Sequence, residues 1–291
     1  MILDPKVLSS IKGLSLMART SLEGYNLGLN LNFKKGQGQE FSNYRSYEPG
    51  DDLRNLDWKM FARSDRYYVR ESEIETQISI RFLIDASASM NHEDSGITKF
   101  KYVQVLTACM AYLAARQGDY FGLSLFGESG MKSILRQSGK NGFERFCHLL
   151  ESTPPGGVFP SDKEILDLGS RNDPKTLYIF ISDFYQIQEE HFNMLDALRG
   201  RGHEIWALQI LGKNELDFHF PDYSQLEDLE TGSRISINQG NRVAFKERME
   251  LHLDSLKKKI LDKNIVYSLF LLSNPLNEAI KQFLKRTQKG K

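Results

Sequence analysis

Asp85, Ser87 and Ser89 stand at alternate positions directly after residues 78–84 (ISIRFLI), a run rich in β-branched and aromatic residues. One carboxylate and two hydroxyls are hard oxygen donors, suited to a small dication that keeps part of its water shell. No histidine or cysteine stands among them, which argues against zinc. Ala86 and Ala88 are small enough for the chain to turn tightly, so that the three oxygen-bearing side chains can face one centre. A second stretch repeats the design: residues 176–183 (TLYIFISD) are an apolar run ending in Ser182 and Asp183. If both runs are neighbouring strands of one sheet, Asp183 lies near Asp85, outside the carboxyl ends where open α/β sheets bind ligands. The competing reading is local, with Asp85, Ser87 and Ser89 capping the loop and the following helix through backbone hydrogen bonds.

Catalysis fits these residues less well. A phosphate-accepting aspartate of the DxD type needs a second carboxylate two residues on, and Ser87 stands there instead. Neither Ser87 nor Ser182 sits in a GxSxG elbow, and none of His92, His148, His191, His203, His219 and His252 stands in a motif tying it to a serine. Gly36 and Gly38 lack the Gly-Lys-Ser/Thr of a phosphate loop. A non-enzymatic role is expected. The alternatives are a structural scaffold without bound metal and a magnesium-dependent hydrolase or phosphotransferase.

The elements that must position these residues follow from periodicity. Thr98 caps a helix through Arg116 whose Val103, Leu106, Met110 and Leu113 share a face. Residues 119–126 and 131–136 read as strands joined by too few residues for a crossover, so they must pair antiparallel. Residues 143–151, 163–170 and 243–262 read as helices, 204–211 and 265–272 as strands, and 212–237 as a β-hairpin excursion. Ahead of the central run, residues 4–18 carry a short amphipathic helix, 29–33 an alternating strand, and 67–75 a strand leading into the centre. The expected fold class is α/β: a mostly parallel sheet with one antiparallel edge strand and helices on both faces. A small β-rich extension (1–75) precedes that domain (76–291).

The loop 48–58 (EPGDDLRNLDW) mixes turn formers with alternating charge. In one reading Arg45, Arg54 and Arg63 pair with Asp51, Asp52 and Asp57 while Trp58 and Phe61 anchor to the core. In the other, Arg45, Asp51, Asp52, Arg54, Asp57 and Trp58 form a surface that a partner recognises. Composition narrows the partner class. Lys plus Arg and Asp plus Glu number 38 each, so no net charge draws the chain to nucleic acid or an anionic membrane. Cys109 and Cys147 stand in apolar helical patterns and are expected as buried reduced thiols, consistent with a reducing, cytoplasmic setting. No stretch approaches the ~20 apolar residues of a membrane helix, and the first residues have no long apolar signal region, so a soluble chain without membrane insertion is expected.

Residues 85–89 (DASAS) resemble the metal-ion-dependent adhesion site (MIDAS) of von Willebrand factor A domains. Residues 36–63 (GQGQEFSNYRSYEPGDDLRNLDWKMFAR) and 68–75 (YVRESEIE) resemble the signature of the bacterial family called domain of unknown function 58. The resemblance implies a von Willebrand A-like core without catalytic activity, often encoded beside a MoxR-type AAA+ ATPase. It implies magnesium, with manganese or calcium as alternatives, held by Asp85, Ser87 and Ser89 from a first loop, a hydroxyl from a second and Asp183 from a third. In the second loop a Gly-Gly-Thr-Asp arrangement is usual; here residues 156–162 read GGVFPSD, so Ser161 is the hydroxyl candidate and Asp162 a supporting or substitute ligand. The resemblance thus implies a metal-dependent module that captures a carboxylate of a protein partner, either a MoxR-type ATPase or its client.

Overall fold

The computed structural model describes residues 41–49, 51–52, 56–72, 78–159, 174–186, 189–217, 225–227, 234–236, 239–276 and 280. The expected helix over 4–18, the strand at 29–33 and the helix over 163–170 lie outside them. The chain divides into two units, one within Leu27–Gln77 and one containing everything from Ile78 onward.

In the smaller unit β1 (Phe41–Ser46) pairs antiparallel with β2 (Tyr68–Ser72). The expected strand at 67–75 therefore serves a two-stranded sheet of its own and does not join the central one. Between the strands, helix α1 (Trp58–Ser64) starts at Asp57, whose carboxylate accepts the N–H groups of Lys59 and Met60 at 2.9 and 3.1 Å. It stops where Asp65 turns left-handed at φ 54° and its N–H returns to the Phe61 carbonyl. Asp57→Ala removes this cap and should cost about 1 kcal/mol in a urea melt, whereas exposed Trp58→Ala should stay within about 0.5 kcal/mol.

The larger unit opens with β3 (Ser79–Ala86), a 3₁₀ turn (Ala88–Asn91) and the hairpin β4 (Glu93–Asp94) and β5 (Ile97–Thr98). Helix α2 (Lys99–Arg116) follows, then β6 (Tyr120–Gly127), β7 (Gly130–Gln137) and α3 (Gly139–Ser152). Next come β8 (Thr176–Ser182), α4 (Glu189–Gly200), β9 (Glu204–Leu211) and the short α5 (Lys213–Asp217). A hairpin of β10 (Gln225–Glu227) and β11 (Arg234–Ser236), then α6 (Gln239–Asp262) and β12 (Val266–Leu271), complete the described chain. Six strands form one sheet in the order β12-β9-β8-β3-β6-β7, all parallel except the β6–β7 pair.

Phe82, Leu83 and Ile84 on β3, and Phe180 and Ile181 on β8, are fully buried, which is why these stretches read as apolar on both faces and not as alternating. Thr98 caps α2 as expected, its hydroxyl accepting the Lys101 N–H at 3.1 Å. Cys109 and Cys147 are buried and not joined in a disulfide. From β3 the chain moves to β6 on one side, and later from β8 to β9 on the other, so the order reverses between β3 and β8. A crevice at such a reversal is where open α/β sheets place ligands.

Candidate metal centre

Asp85 leaves the carboxyl end of β3 with 1 % of its surface exposed. Its Oδ1 accepts the Ser87 N–H at 2.9 Å, and its Oδ2 accepts the Ser182 hydroxyl at 2.6 Å. Ser182 Oγ in turn accepts the Phe184 N–H at 2.9 Å, so the first loop is tied to the third through one serine. Burial and the negative charge of Asp183 push the Asp85 carboxyl up to about 7, against the opposing hydrogen bonds from Ser182 and Ser87. Asp183 thus lies close enough to act on Asp85, as neighbouring strand ends require.

The Ser87 and Ser89 hydroxyl oxygens are 3.1 Å apart and hydrogen-bonded to each other. Two cis oxygens around magnesium, each roughly 2.1 Å from the ion, lie roughly 3.0 Å from one another. The hydroxyl pair has the spacing of one octahedral edge, and Asp85 retains lone pairs beyond its two accepted bonds. Asp85, Ser87 and Ser89 therefore fit a small hard cation. Among the described residues no group of three or more His, Cys, Asp or Glu side chains is placed to hold a metal, so any such site depends on the hydroxyls.

The second loop contributes backbone. Gly156 N–H donates to the Ala86 carbonyl and Ala88 N–H to the Gly157 carbonyl, both at 2.8 Å, clamping the first loop by two main-chain bonds. Gly157 has φ +68°, and a Cβ there would sit 2.7 Å from Glu128 Cβ and 2.8 Å from Glu128 Cα. Gly157→Ala should therefore cost about 2 kcal/mol or more in a denaturant melt, from left-handed backbone strain and the clash together. Ser161 and Asp162 lie outside the described residues. Below the site a ladder of rings holds the loops: Phe126 to Phe159 at 5.3 Å, Phe159 to Phe180 at 5.8 Å, and Phe180 to Phe184 at 5.2 Å. Phe184 adopts φ 63°, an uncommon state for a bulky residue, directly after Asp183.

The third loop holds a feature that sequence reading missed. Asp183, fully buried, accepts the Lys99 ammonium at 3.0 Å on Oδ2 and the Tyr185 N–H at 3.2 Å on Oδ1. Lys99 is 1 % exposed and also meets Glu215 Oε1 at 2.7 Å, with its Nζ 4.9 Å from the Tyr185 ring centre. Burial pulls the Lys99 pKa down, but the charges of Asp183 and Glu215 outweigh it and leave the group above the ordinary lysine value. The Asp183 carbonyl accepts Gln209 Nε2 at 2.8 Å, and Gln209 is braced by the Tyr267 hydroxyl at 2.6 Å.

Glu215 reaches Lys99 because the β4–β5 hairpin is stitched to α5. Asp94 Oδ2 accepts the Lys213 and Asn214 N–H groups at 2.6 and 3.3 Å, and Asn214 Oδ1 lies 2.9 Å from His92 Nε2. A sequence clue to Lys99 existed: a cation at the first position of a helix faces unpaired N–H groups and needs a compensating partner.

In the smaller unit Trp58 is 61 % exposed, so it does not anchor to a core, while Asp57 is buried as the α1 cap. Phe61 stacks on Tyr67 with ring centres 4.5 Å apart, and Trp58 meets Phe61 edge-on at 6.3 Å. Asp51 Oδ2 accepts the Glu48 N–H at 2.9 Å, Asp52 is exposed, and Arg45 lies on β1. Arg54 lies outside the described residues.

The strand order, with its one antiparallel edge strand and intervening helices, defines a von Willebrand A-like α/β domain. The chain belongs to the family described as protein of unknown function DUF58, whose family model matches residues 43–255. An uncharacterized protein of Mycobacterium tuberculosis is 25% identical over 264 residues, covering 88% of this chain and 82% of its own length. Among solved structures, the conserved hypothetical protein BatB from Bacteroides thetaiotaomicron aligns with TM-score 0.45 at 15% identity, over 73% of this chain and 99% of that one. A manganese-loaded TRAP protein of Plasmodium vivax aligns with TM-score 0.35 at 14% identity, over 46% of this chain and 57% of that one. No helix among the described residues is long and apolar enough to cross a membrane.

Proposed function

We propose that this protein is a non-catalytic binding module that captures a partner's carboxylate at a magnesium-type dication held by Asp85, Ser87 and Ser89. The observation that carries the reading is the Ser87–Ser89 hydroxyl pair, 3.1 Å apart beside the buried Asp85 carboxylate. When bound, a dication there supplies a coordination position that an Asp or Glu side chain of a partner can fill. The chain's own groups prepare that position. Ser182 and the Ser87 N–H orient the Asp85 carboxylate, the Gly156–Gly157 backbone holds the serines in place, and neutral hydroxyl ligands leave the cation net positive.

The family resemblance supports a MoxR-type AAA+ ATPase, or a client of one, as the partner, with the module working in the cytoplasm in assembly or maturation of other proteins. Exposed Trp58 and its neighbours on the smaller unit supply a second partner contact in this reading. The test is a titration of magnesium and manganese into the protein and its Asp85→Ala variant, followed by calorimetry and thermal melting. Saturable binding is expected only with Asp85 present. At a hundredfold excess over Kd it should stabilise the fold by about 2.7 kcal/mol. Equal behaviour of the two proteins would sink the reading.

A further inference from the structure

We propose that Lys99 is a tethered counter-cation that claims the third-loop aspartate, so that a dication at this site is held by the first loop and not by Asp183. The inference rests on the dication reading above and assigns its ligands.

A lysine is doubly misplaced at position 99. It opens α2, where the helix dipole disfavours a cation, and it is 1 % exposed, where an unpaired ammonium is costly. Two carboxylates make the placement tenable, Asp183 at 3.0 Å and Glu215 at 2.7 Å. Asp183 then carries a cation on its carboxylate: Lys99 sits on Oδ2, with the Tyr185 N–H on Oδ1 and Gln209 on the backbone carbonyl. Asp85 is different, since its partners are a hydroxyl and an amide, and no cation pairs with it among the described residues. The two buried aspartates thus divide the work. Asp85 is the carboxylate left for a mobile cation, and Asp183 belongs to a fixed one.

Glu215 is the second anchor of the fixed cation. Its Oε2 accepts the Gly212 N–H at 2.6 Å just beyond the end of β9 and lies 3.7 Å from His92 Nε2. The ammonium is held between that anchor and Asp183. A dication near Asp183 meets this ammonium as a like charge, and in a buried site like charges repel strongly. Lys99 therefore lowers the affinity for the metal alone and leaves the metal's charge less neutralised for an incoming carboxylate.

The experiment measures manganese affinity by calorimetry and by loss of the free-ion electron paramagnetic resonance signal. It compares the full chain with Asp85→Asn, Asp183→Asn and Lys99→Met. Expected are loss of binding in Asp85→Asn, binding weakened by no more than about tenfold in Asp183→Asn, where one nearby negative charge is lost but no ligand, and at least about tenfold tighter binding in Lys99→Met. Loss in Asp183→Asn as complete as in Asp85→Asn overturns the inference and leaves the dication reading standing. That arm decides by itself if Lys99→Met does not fold. Equal affinity of the parent and a folded Lys99→Met also overturns the inference alone. Binding by Lys99→Met but not by the parent supports Lys99 as the cation of the site and overturns the metal dependence proposed above. No binding in any of the four overturns both.

Discussion

Replacing Lys99 by methionine should lower the unfolding free energy at neutral pH by about 3–5 kcal/mol, the cost of breaking a buried ion pair from one side. The side chain is nearly isosteric, so packing against α2 changes little and the loss reports charge. Asp183, fully buried, and Glu215 would each lose the ammonium that meets them at 3.0 and 2.7 Å. Urea melts of the parent and the variant measure the effect directly. Combining Lys99→Met with Asp183→Asn removes one charge of each sign and should recover part of the loss, because the only carboxylate left without the ammonium it met is then Glu215. A loss below about 1 kcal/mol would mean that the triad is solvated in solution and behaves as a surface pair.

Stability should also fall as pH rises from about 4 to about 7, without added metal, because Asp85 is held protonated by the fold. Its carboxyl is pushed up to about 7 from an ordinary value of 3.8, first by burial and then by Asp183. The native state thus binds a proton across this window that the unfolded chain has released. The contribution is complete below the unfolded value and is lost as pH passes through the folded one. For a shift of this size the swing is about 4 kcal/mol. Asp85→Asn stays neutral throughout, so the difference between parent and variant isolates the slope from every other titrating group. A flat difference between pH 4 and 8 would show that Asp85 is ionised in the metal-free fold. Since a dication needs the carboxylate form, its binding should release a proton near neutral pH and weaken roughly tenfold per unit below it.

Much of the fold was legible because its cause is local. Runs rich in β-branched and aromatic residues, such as 78–84 and 176–181, read as strands covered on both faces, and such strands lie in the middle of a parallel sheet. The short link between β6 and β7 left no room for a crossover, so their antiparallel pairing followed from chain length alone. Asp85, Ser87, Ser89 and Asp183 were legible as a group because they stand where those strands end. The strand at 67–75 was legible as a strand, but its pattern says that it pairs and not with what; its partner is β1.

Exposure and charge partnership belong to a different order of information. Trp58 follows a buried aspartate and precedes Phe61, which reads like an anchor, yet the Asp57 cap starts α1 in a direction that leaves the indole outside. Ser182 read as one more strand-end hydroxyl, and only the closeness of β8 to β3 turned it into the donor that orients Asp85. Lys99 stands in the sequence only as the residue after the Thr98 cap. It becomes a buried counter-ion because the β4–β5 hairpin is fastened to α5, bringing Glu215 beside it from the far side of β9. By itself the sequence determined the strands, their ends and the oxygen donors waiting there, since hydrophobic periodicity and turn chemistry act between near neighbours. Only the tertiary structure decided which carboxylate meets an ammonium and which meets a hydroxyl and an amide. Ion pairing depends on distance through space and on burial, and both are set by how segments eighty or more residues apart are brought together.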